Sequence, residues 1–476
     1  MRPNWLHRRV RQTPHRIGLR FGEEQWTFEQ MEQNVLRYVT LLQTYGVREG
    51  TRIALYGQAT PSFVFLIHAS FYVGAEAVLL NRRLTAEELA FQIDDADVSL
   101  VVTDDVTPFE SVSARVVSFT DRLPAERSVS YRTEWEAHEP ATIMYTSGTT
   151  GRPKGVIQTY GNHEANALAS LLNLGLAPSD SWLVTVPLFH IRGLSILVRT
   201  VLYGTTLHLT PRFDEEESAR LIALGRVTMM SVVTVTLERL VRVMERNGWV
   251  AHERFRLVLA GGGPIPPSLL DRAERVGIVA LQTYGMTETS SQTATLAIEE
   301  SKRKVGSAGK PLFWNDVMID GTDEPYTYGE ICIRGPHVTP GYVGHASTID
   351  AQRDGWFHTG DIGYFDEEGF LYVVDRRNDL IISGGENIYP AEIEHVLMRH
   401  EAVREAGVCG VPSEEWGEVP VAYVVLEEDV SLDILKRQCE RHLAPYKRPK
   451  QIVVVDELPR NASNKLLRRE LKTWGN

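Results

Sequence analysis

The sequence predicts an α/β protein with an α+β end: a large N-terminal domain of helix-covered, largely parallel sheets with a β-rich closing part, then a small mobile C-terminal domain. Three observations predict it. Short β-branched runs alternate with longer helical stretches through most of the chain. Near residue 328 that alternation gives way to closely spaced strands. A polar break, Arg376-Arg377-Asn378-Asp379, then precedes a compact final segment.

Residues 1–20 read as a surface helix followed by a strand. They carry six arginines but no serine, and Thr13-Pro14 interrupts any long amphipathic helix, which argues against a transit peptide. Strands are expected at 52–56, 77–80, 99–103, 142–145, 182–186 and 257–260, with helices at 87–94 and 215–223 among them. Parallel sheets of this kind place ligands at the carboxyl ends of their strands. Further strands are expected at 330–334, 362–365 and 370–374, the last two joined by the turn Asp366-Glu-Glu-Gly369. The final segment reads as a helix from Ala391, a strand at 421–426, a helix at 432–442 and a strand at 451–455. The expected division is a large domain 1–375, a hinge 376–379 and a small domain 380–476.

Composition narrows the function classes. With 43% hydrophobic and 24% charged residues the chain is globular rather than disordered. It has 50 Lys+Arg against 62 Asp+Glu, a formal charge of −12, and no basic stripe, so no nucleic-acid partner is expected. Three cysteines without CxxC or Cys/His ligand spacing argue against a disulfide scaffold or a zinc site and fit a reducing cytoplasm. No apolar run approaches the ~18 residues of a membrane span. A homo-oligomer is left open.

The strongest motif is Thr146-Ser-Gly-Thr-Thr-Gly-Arg-Pro-Lys-Gly155. Backbone N–H groups and hydroxyls of Thr146, Ser147, Gly148, Thr149 and Thr150 can wrap phosphate oxygens while Lys154 supplies charge. It is not a Walker A loop, because Lys154 stands three residues after Gly151 and no Ser or Thr follows it. Gly261-Gly262-Gly263-Pro264 follows a strand, and its bare backbone permits close approach of a flat ring. In Tyr284-Gly285-Met286-Thr287-Glu288, a carboxylate set beside a triphosphate would need a divalent ion between them. Thr359-Gly-Asp361, Arg376, Ser383-Gly384-Gly385-Glu386 and Leu458-Pro-Arg-Asn-Ala-Ser-Asn-Lys465 follow in that order.

Together these motifs resemble the adenylate-forming superfamily of acyl-CoA synthetases, luciferases and adenylation domains. The resemblance implies ATP, Mg²⁺ and coenzyme A as small-molecule requirements. It implies that residues 146–150 and Lys154 hold the phosphates, and that Gly262, Gly263, Pro264, Tyr284 and Gly285 border the adenine. Thr287 would meet the α-phosphate, Glu288 would hold Mg²⁺, and Asp361 with Arg376 would bind the ribose. Lys465 would reach the acyl carboxylate during adenylation. The small domain would then turn on the hinge, where Asn378 stands in place of the usual Asp or Lys, and bring Gly384 and Gly385 to line the coenzyme A tunnel.

Longer stretches resemble one branch of that superfamily, the o-succinylbenzoate–CoA ligases of menaquinone biosynthesis. They are Pro3-Asn-Trp-Leu6, Gly161-Asn-His163, Pro187-Leu-Phe-His-Ile191, Gly285-Met-Thr-Glu-Thr289 with Gln292, Gly306-Ser-Ala-Gly-Lys-Pro311 and residues 460–467. The implied substrate carries two carboxylates, and the one not activated needs a cation or strong donors when buried. Arg199 is the first candidate and Arg192 the second. His190 would shape the pocket, and Thr283, Ser291 and Gln292 could supply donors. Two other enzyme readings stay open: a CoA ligase for another aromatic or medium-chain acid, and a stand-alone adenylation enzyme that charges a carrier protein. A nucleotide sensor without turnover is the reading from a different class.

Overall fold

Runs of buried aliphatic residues, each followed by a helix, build the parallel sheets of this protein. The computed structural model describes residues 1–120, 129–147, 153–261, 265, 267–344, 352–375, 381–388, 390–459 and 468–474. The chain divides into two compact units. The first comprises Met1–Arg82, Ile93–Met144 and Gly155–Val374, and the second Arg83–Gln92, Tyr145–Lys154 and Asp375–Asn476.

A nine-stranded sheet dominates the first unit. Its spatial order is Lys310–Pro311, Ala294–Thr295, Ala280–Tyr284, Leu257–Gly261, Met229–Val232, Ser181–Val184, Thr206–Leu209, Ile17–Phe21 and Glu24–Thr27. The strands from Ala280–Tyr284 to Ile17–Phe21 pair in parallel. Val184, Gly261 and Tyr284 therefore end at one edge of the sheet, where ligands of such folds collect. A seven-stranded sheet runs in the order Gly341–Tyr342, Pro153–Thr159, Pro140–Ser147, Glu76–Leu79, Arg52–Tyr56, Leu100–Thr103 and Arg115–Ser118. Its strand Arg52–Tyr56 buries Ile53, Ala54 and Leu55 in succession, as a strand covered on both faces must.

The helices follow from their sequences. In Phe28–Thr44, Thr27 and Gln30 form a capping box, and Phe28, Met31, Val35, Val39 and Leu42 return to one buried face at spacings of three and four. The N-terminal helix Trp5–Gln12 is capped by Asn4, whose side chain accepts from the His7 N–H. Trp5 packs edge-on against Trp135 and Tyr160, with ring centroids 5.1 and 5.7 Å away. Truncating such a buried aromatic costs about 3–5 kcal/mol. The stretch Pro3–Leu6 thus has a structural explanation in the anchoring of this helix.

Residues 316–375 close the first unit with an antiparallel sheet in the order Asp316–Ile319, Gly329–Arg334, Trp356–Phe365 and Gln352–Arg353, with Leu371–Asp375 also on Trp356–Phe365. The strand expected at 362–365 is the end of this ten-residue strand. In the second unit the spatial order is Glu386–Ile388, Ile381–Ser383, Gly417–Leu426 and Val403–Ser413, with Gln451–Val454 parallel to Gly417–Leu426. No strand is expected at 403–413 from the sequence, where Gly407, Gly410 and Pro412 weaken β propensity. Register with the neighbouring strand, from Val403–Leu426 to Ser413–Gly417, overrides that local preference. Among the described residues no helix is long and apolar enough to cross a membrane.

Four histidines in this core make stability depend on acid. Burial pushes His68, His163 and His337 down to about 3 and His208 to about 4, the latter helped by the nearby Arg20 charge. Between those values and the ordinary 6.5, the unfolded chain binds protons that the folded chain does not. Stability is therefore complete above about pH 6.5 and lost as pH falls, by ~1.4 kcal/mol per pH unit for each group. Thermal unfolding should show Tm falling steadily from pH 6.5 to pH 5, and a flat Tm over that range would refute the assignment.

Candidate active site

The strand Ala280–Tyr284 runs into a turn that holds most of the central motif. Gly285 is required there, since a Cβ would lie 1.6 Å from the Ser291 carbonyl oxygen. Thr287–Thr289 form one 3₁₀ turn, and Ser290 and Ser291 follow at φ 53° and 124°. Non-glycine residues in such conformations cost about 1–3 kcal/mol each and persist only where their surroundings hold them.

The holding groups are visible. Gln158 Nε2 donates to the Thr287 carbonyl at 3.2 Å. Asn166 Nδ2 donates to the carbonyls of Thr289 and Gln292 at 3.0 and 2.8 Å. The Thr339 N–H donates to the Glu288 carbonyl at 2.7 Å, and the Tyr342 hydroxyl to Glu288 Oε1 at 3.2 Å. A second layer fixes the first. Thr142 donates to Gln158 Oε1 at 2.8 Å, so it accepts from His163 Nε2 at 2.8 Å. Burial keeps that imidazole neutral, and the bond to Thr142 fixes the tautomer with its proton on Nε2.

Two of these groups, His163 and Asn166, belong to the helix Tyr160–Leu174, entered through a capping box of Thr159 and Asn162. Asn162 and Asn166, four residues apart, share a face of it. Asn162 Nδ2 donates to the Pro336 and Val338 carbonyls, both at 2.9 Å.

Asp361 lies in Trp356–Phe365 and is 7% exposed. Its N–H donates to Thr359 Oγ1 at 3.0 Å, and the Gly360 N–H donates to Glu330 Oε1 at 2.7 Å. The Tyr284 hydroxyl donates to Asp361 Oδ2 at 2.8 Å, joining motifs 77 residues apart.

The helix Ile191–Tyr203 presents Arg192, Ser195 and Arg199 at spacings of three and four, one face of the helix. His190 is its N-cap residue, half-buried, with its ring 4.7 Å from that of Phe189. Arg192 is half-buried and comes close to Gly261. Ser195 donates to the Arg192 carbonyl at 3.0 Å and lies 3.3 Å from Ser291 Oγ. Arg199 is 1% exposed, donates to Asn166 Oδ1 at 2.7 Å and lies 5.6 Å from the Trp182 ring centre. Among the described residues no carboxylate pairs with it, and its Nε is enclosed without a partner. Burial lowers its pKa from the usual arginine value. A guanidinium retained in that setting calls for an anion.

The structure thus gathers Tyr284, Gly285, Thr287, Glu288, Asp361, His190, Arg192, Ser291 and Arg199 around the carboxyl ends of the parallel strands. Thr283 and Gln292 are there too, but bonded to Thr295 Oγ1 at 2.8 and 3.1 Å, and Thr283 also donates to the Ala294 carbonyl. Thr146 and Lys154 stand on neighbouring strands, Pro140–Ser147 and Pro153–Thr159. Ser147 ends the former; its side chain, Gly148, Thr149, Thr150, Gly262, Gly263, Pro264, the hinge with Arg376, and Lys465 lie outside the described residues. Gly384 and Gly385, at φ 55° and 87°, make the two-residue turn between Ile381–Ser383 and Glu386–Ile388, a geometry that favours glycine at both places.

Sequence reasoning missed Gln158, Asn166 and Tyr342. The first carried a signal, being an amide beside Val156 and Ile157 in its strand; Asn166 and Tyr342 carried none. It also found no metal-ligand spacing among the cysteines, yet antiparallel register sets Cys332 opposite His358 and near Glu330. These three already bond one another, with His358 Nδ1 at 3.3 Å from Cys332 Sγ and 3.2 Å from Glu330 Oε2.

Comparison with known proteins gives the family of the chain. The model of the AMP-binding enzyme family matches residues 6–343, and that of the AMP-binding enzyme C-terminal domain matches 392–465. A 2-succinylbenzoate–CoA ligase from Geobacillus sp. (strain WCH70) is 48% identical over 479 residues, 99% of this chain and 97% of the relative. A doubly substituted o-succinylbenzoate-CoA synthetase from Bacillus subtilis, bound to a product analogue, superposes with a TM-score of 0.94 at 44% identity, covering 99% of this chain and 98% of that one. The Bacillus subtilis enzyme in complex with ATP and magnesium ion gives 0.76 at 43% identity, with 99% of each chain covered. By sequence over its whole length and by fold, the chain belongs to the AMP-binding enzyme family.

Proposed function

We propose that this protein joins o-succinylbenzoate to coenzyme A at the expense of ATP, through an acyl-adenylate, as a step of menaquinone biosynthesis. The observation that carries the choice of acid is Arg199, a buried cation without a carboxylate, tied through Asn166 to the turn that bears Glu288. It is suited to the ring carboxylate of a substrate whose aliphatic carboxylate reacts. The Geobacillus and Bacillus subtilis relatives, similar from end to end, act on that acid and support the same reading.

In the first half-reaction an oxygen of the succinyl carboxylate attacks the α-phosphorus of ATP. The new O–P bond forms as the bond to pyrophosphate breaks. Thr287 is placed for the α-phosphate, and the Tyr284–Asp361 pair for adenine and ribose. Residues 146–150 and Lys154 take the remaining phosphates, and Lys465 steadies charge on the oxygens in flight. Glu288, held by Tyr342, offers the single carboxylate that Mg²⁺ commonly takes beside substrate phosphates. Bound there, the ion would screen the phosphate charge. In the second half-reaction the coenzyme A thiolate attacks the acyl carbon; a C–S bond forms, the C–O bond to AMP breaks, and AMP leaves. A large domain 1–375, a hinge at 376–379 and a small domain 380–476 serve the two steps, with Gly384 and Gly385 toward the thiol. Both run in the cytoplasm, and a homo-oligomer is compatible with them.

Pyrophosphate release tests the reading. O-succinylbenzoate should be turned over far better than benzoate, a medium-chain fatty acid or 4-phenylbutyrate, because a site built to pair a second carboxylate rejects acids without one. Comparable turnover of the monocarboxylates would overturn the substrate. Release that never yields a coenzyme A thioester would favour carrier charging.

A further inference from the structure

At the amino ends of the same parallel strands, opposite the candidate active site, lies a polar cavity of ≈ 180 Å³. It is lined by Arg20, Ser179, Ser181, Thr206, Arg226 and Arg254, with the backbone of Gly225. Ser181 opens the strand Ser181–Val184 and Thr206 opens Thr206–Leu209, while Arg226 and Arg254 precede two further strands of the sheet. We propose that this cavity is a binding site for a small phosphoryl oxyanion, inorganic phosphate or pyrophosphate.

Charge is the first argument. Three guanidinium groups share one mouth, and no carboxylate lines it. Two acids nearby are committed elsewhere: Asp180 pairs with Arg256 at 2.6 Å and Glu217 with Arg220 at 2.8 Å. Among the described residues Arg20 and Arg226 have no ion pair, and the side chain of Arg254 bonds only the Gly225 carbonyl, at 3.3 Å. Like charges gathered in this way repel one another until an anion enters.

Enclosed groups without partners are the second argument. Ser181 is 7% exposed, and its hydroxyl has no hydrogen-bond partner; Arg20 Nε is likewise enclosed and unbonded. Buried polar atoms are ordinarily satisfied, so two orphans lining one cavity point to a missing acceptor. Arginine and hydroxyl side chains around one small cavity suit tetrahedral oxyanions. Size is the third. The volume is below the ~300–1,000 Å³ of pockets that enclose drug-sized ligands and matches a group the size of a phosphate.

The test uses the full chain with its active site filled by a non-hydrolysable acyl-adenylate analogue. Phosphate and pyrophosphate are titrated separately by calorimetry, at ionic strength matched with chloride. One saturable site is expected, and the tighter of the two anions identifies the ligand. Arg226→Ala with Arg254→Ala should weaken it at least about tenfold. Both side chains are exposed, so their loss leaves no internal gap. Ser181→Ala, a smaller change in a buried place, should weaken it as well. Adenylation without added phosphate should stay near the wild-type rate in the arginine variant. Binding weaker than about 10 mM, or equal binding by wild type and the arginine variant, would overturn the proposal.

Discussion

Lys465→Ala slows adenylation by a factor on the order of 10²–10³, the scale on which loss of one transition-state electrostatic contact is felt. The expectation comes from Arg460-Asn-Ala-Ser-Asn-Lys465, which places the lysine where members of the family bring charge to the acyl carboxylate. While the carboxylate oxygen attacks phosphorus, negative charge gathers on the oxygens between carbon and phosphorus, and an ammonium group there helps the transition state more than the ground state. In the proposed cycle the small domain turns on its hinge and carries Lys465 away before the thiol displaces AMP. Thioester formation from supplied acyl-adenylate should therefore be nearly spared. Separate assays of the two half-reactions check this, and equal damage to both would take Lys465 out of its role.

Arg199→Gln is expected to lower kcat/KM for o-succinylbenzoate on the order of 10²–10³, since truncating one partner of a buried charge pair costs about 2–5 kcal/mol. The loss should be specific. The KM for ATP should hardly move, and 4-oxo-4-phenylbutanoate, the same acid without its ring carboxylate, should be used as well as before or better. Arg199→Lys, which retains a charge without the planar fork, should recover part of the activity. A merely structural arginine behaves otherwise: both acids would suffer alike and the lysine variant would not discriminate between them. That pattern would return the second carboxylate to Arg192. Asn166 explains why the effect should reach kcat as well as KM. Its oxygen accepts from Arg199 while its amide nitrogen holds the carbonyls of Thr289 and Gln292, so a shift in the guanidinium is felt at the turn carrying Glu288.

The groups read from sequence were legible because each sits in a short, unusual run of residue types. A turn as tight as 285–291 needs its glycine, and a phosphate cradle needs its hydroxyls and lysine within one loop. Arg199 was legible for another reason, being the one charged residue in the apolar run 193–203. Gln158 and Asn166 were harder to find, because their roles depend on carbonyls more than a hundred residues away. The strand Val403–Ser413 was hidden by its own glycines and proline, and only its ladder with Gly417–Leu426 makes it a strand.

By itself, the order of the residues determined the two-part α/β and α+β architecture, the succession of nucleotide-binding motifs and the candidate cation for a second carboxylate. All of these are written in local periodicity, turn chemistry and charge, which a chain carries before it folds. Tertiary structure alone decided that Tyr284 bonds Asp361, that Thr142, Gln158 and His163 support the central turn, and that three arginines from separate segments face one cavity. Those contacts join residues distant in sequence. They follow from the parallel register of the sheet and the packing of helices on it, and no short stretch of sequence contains both partners.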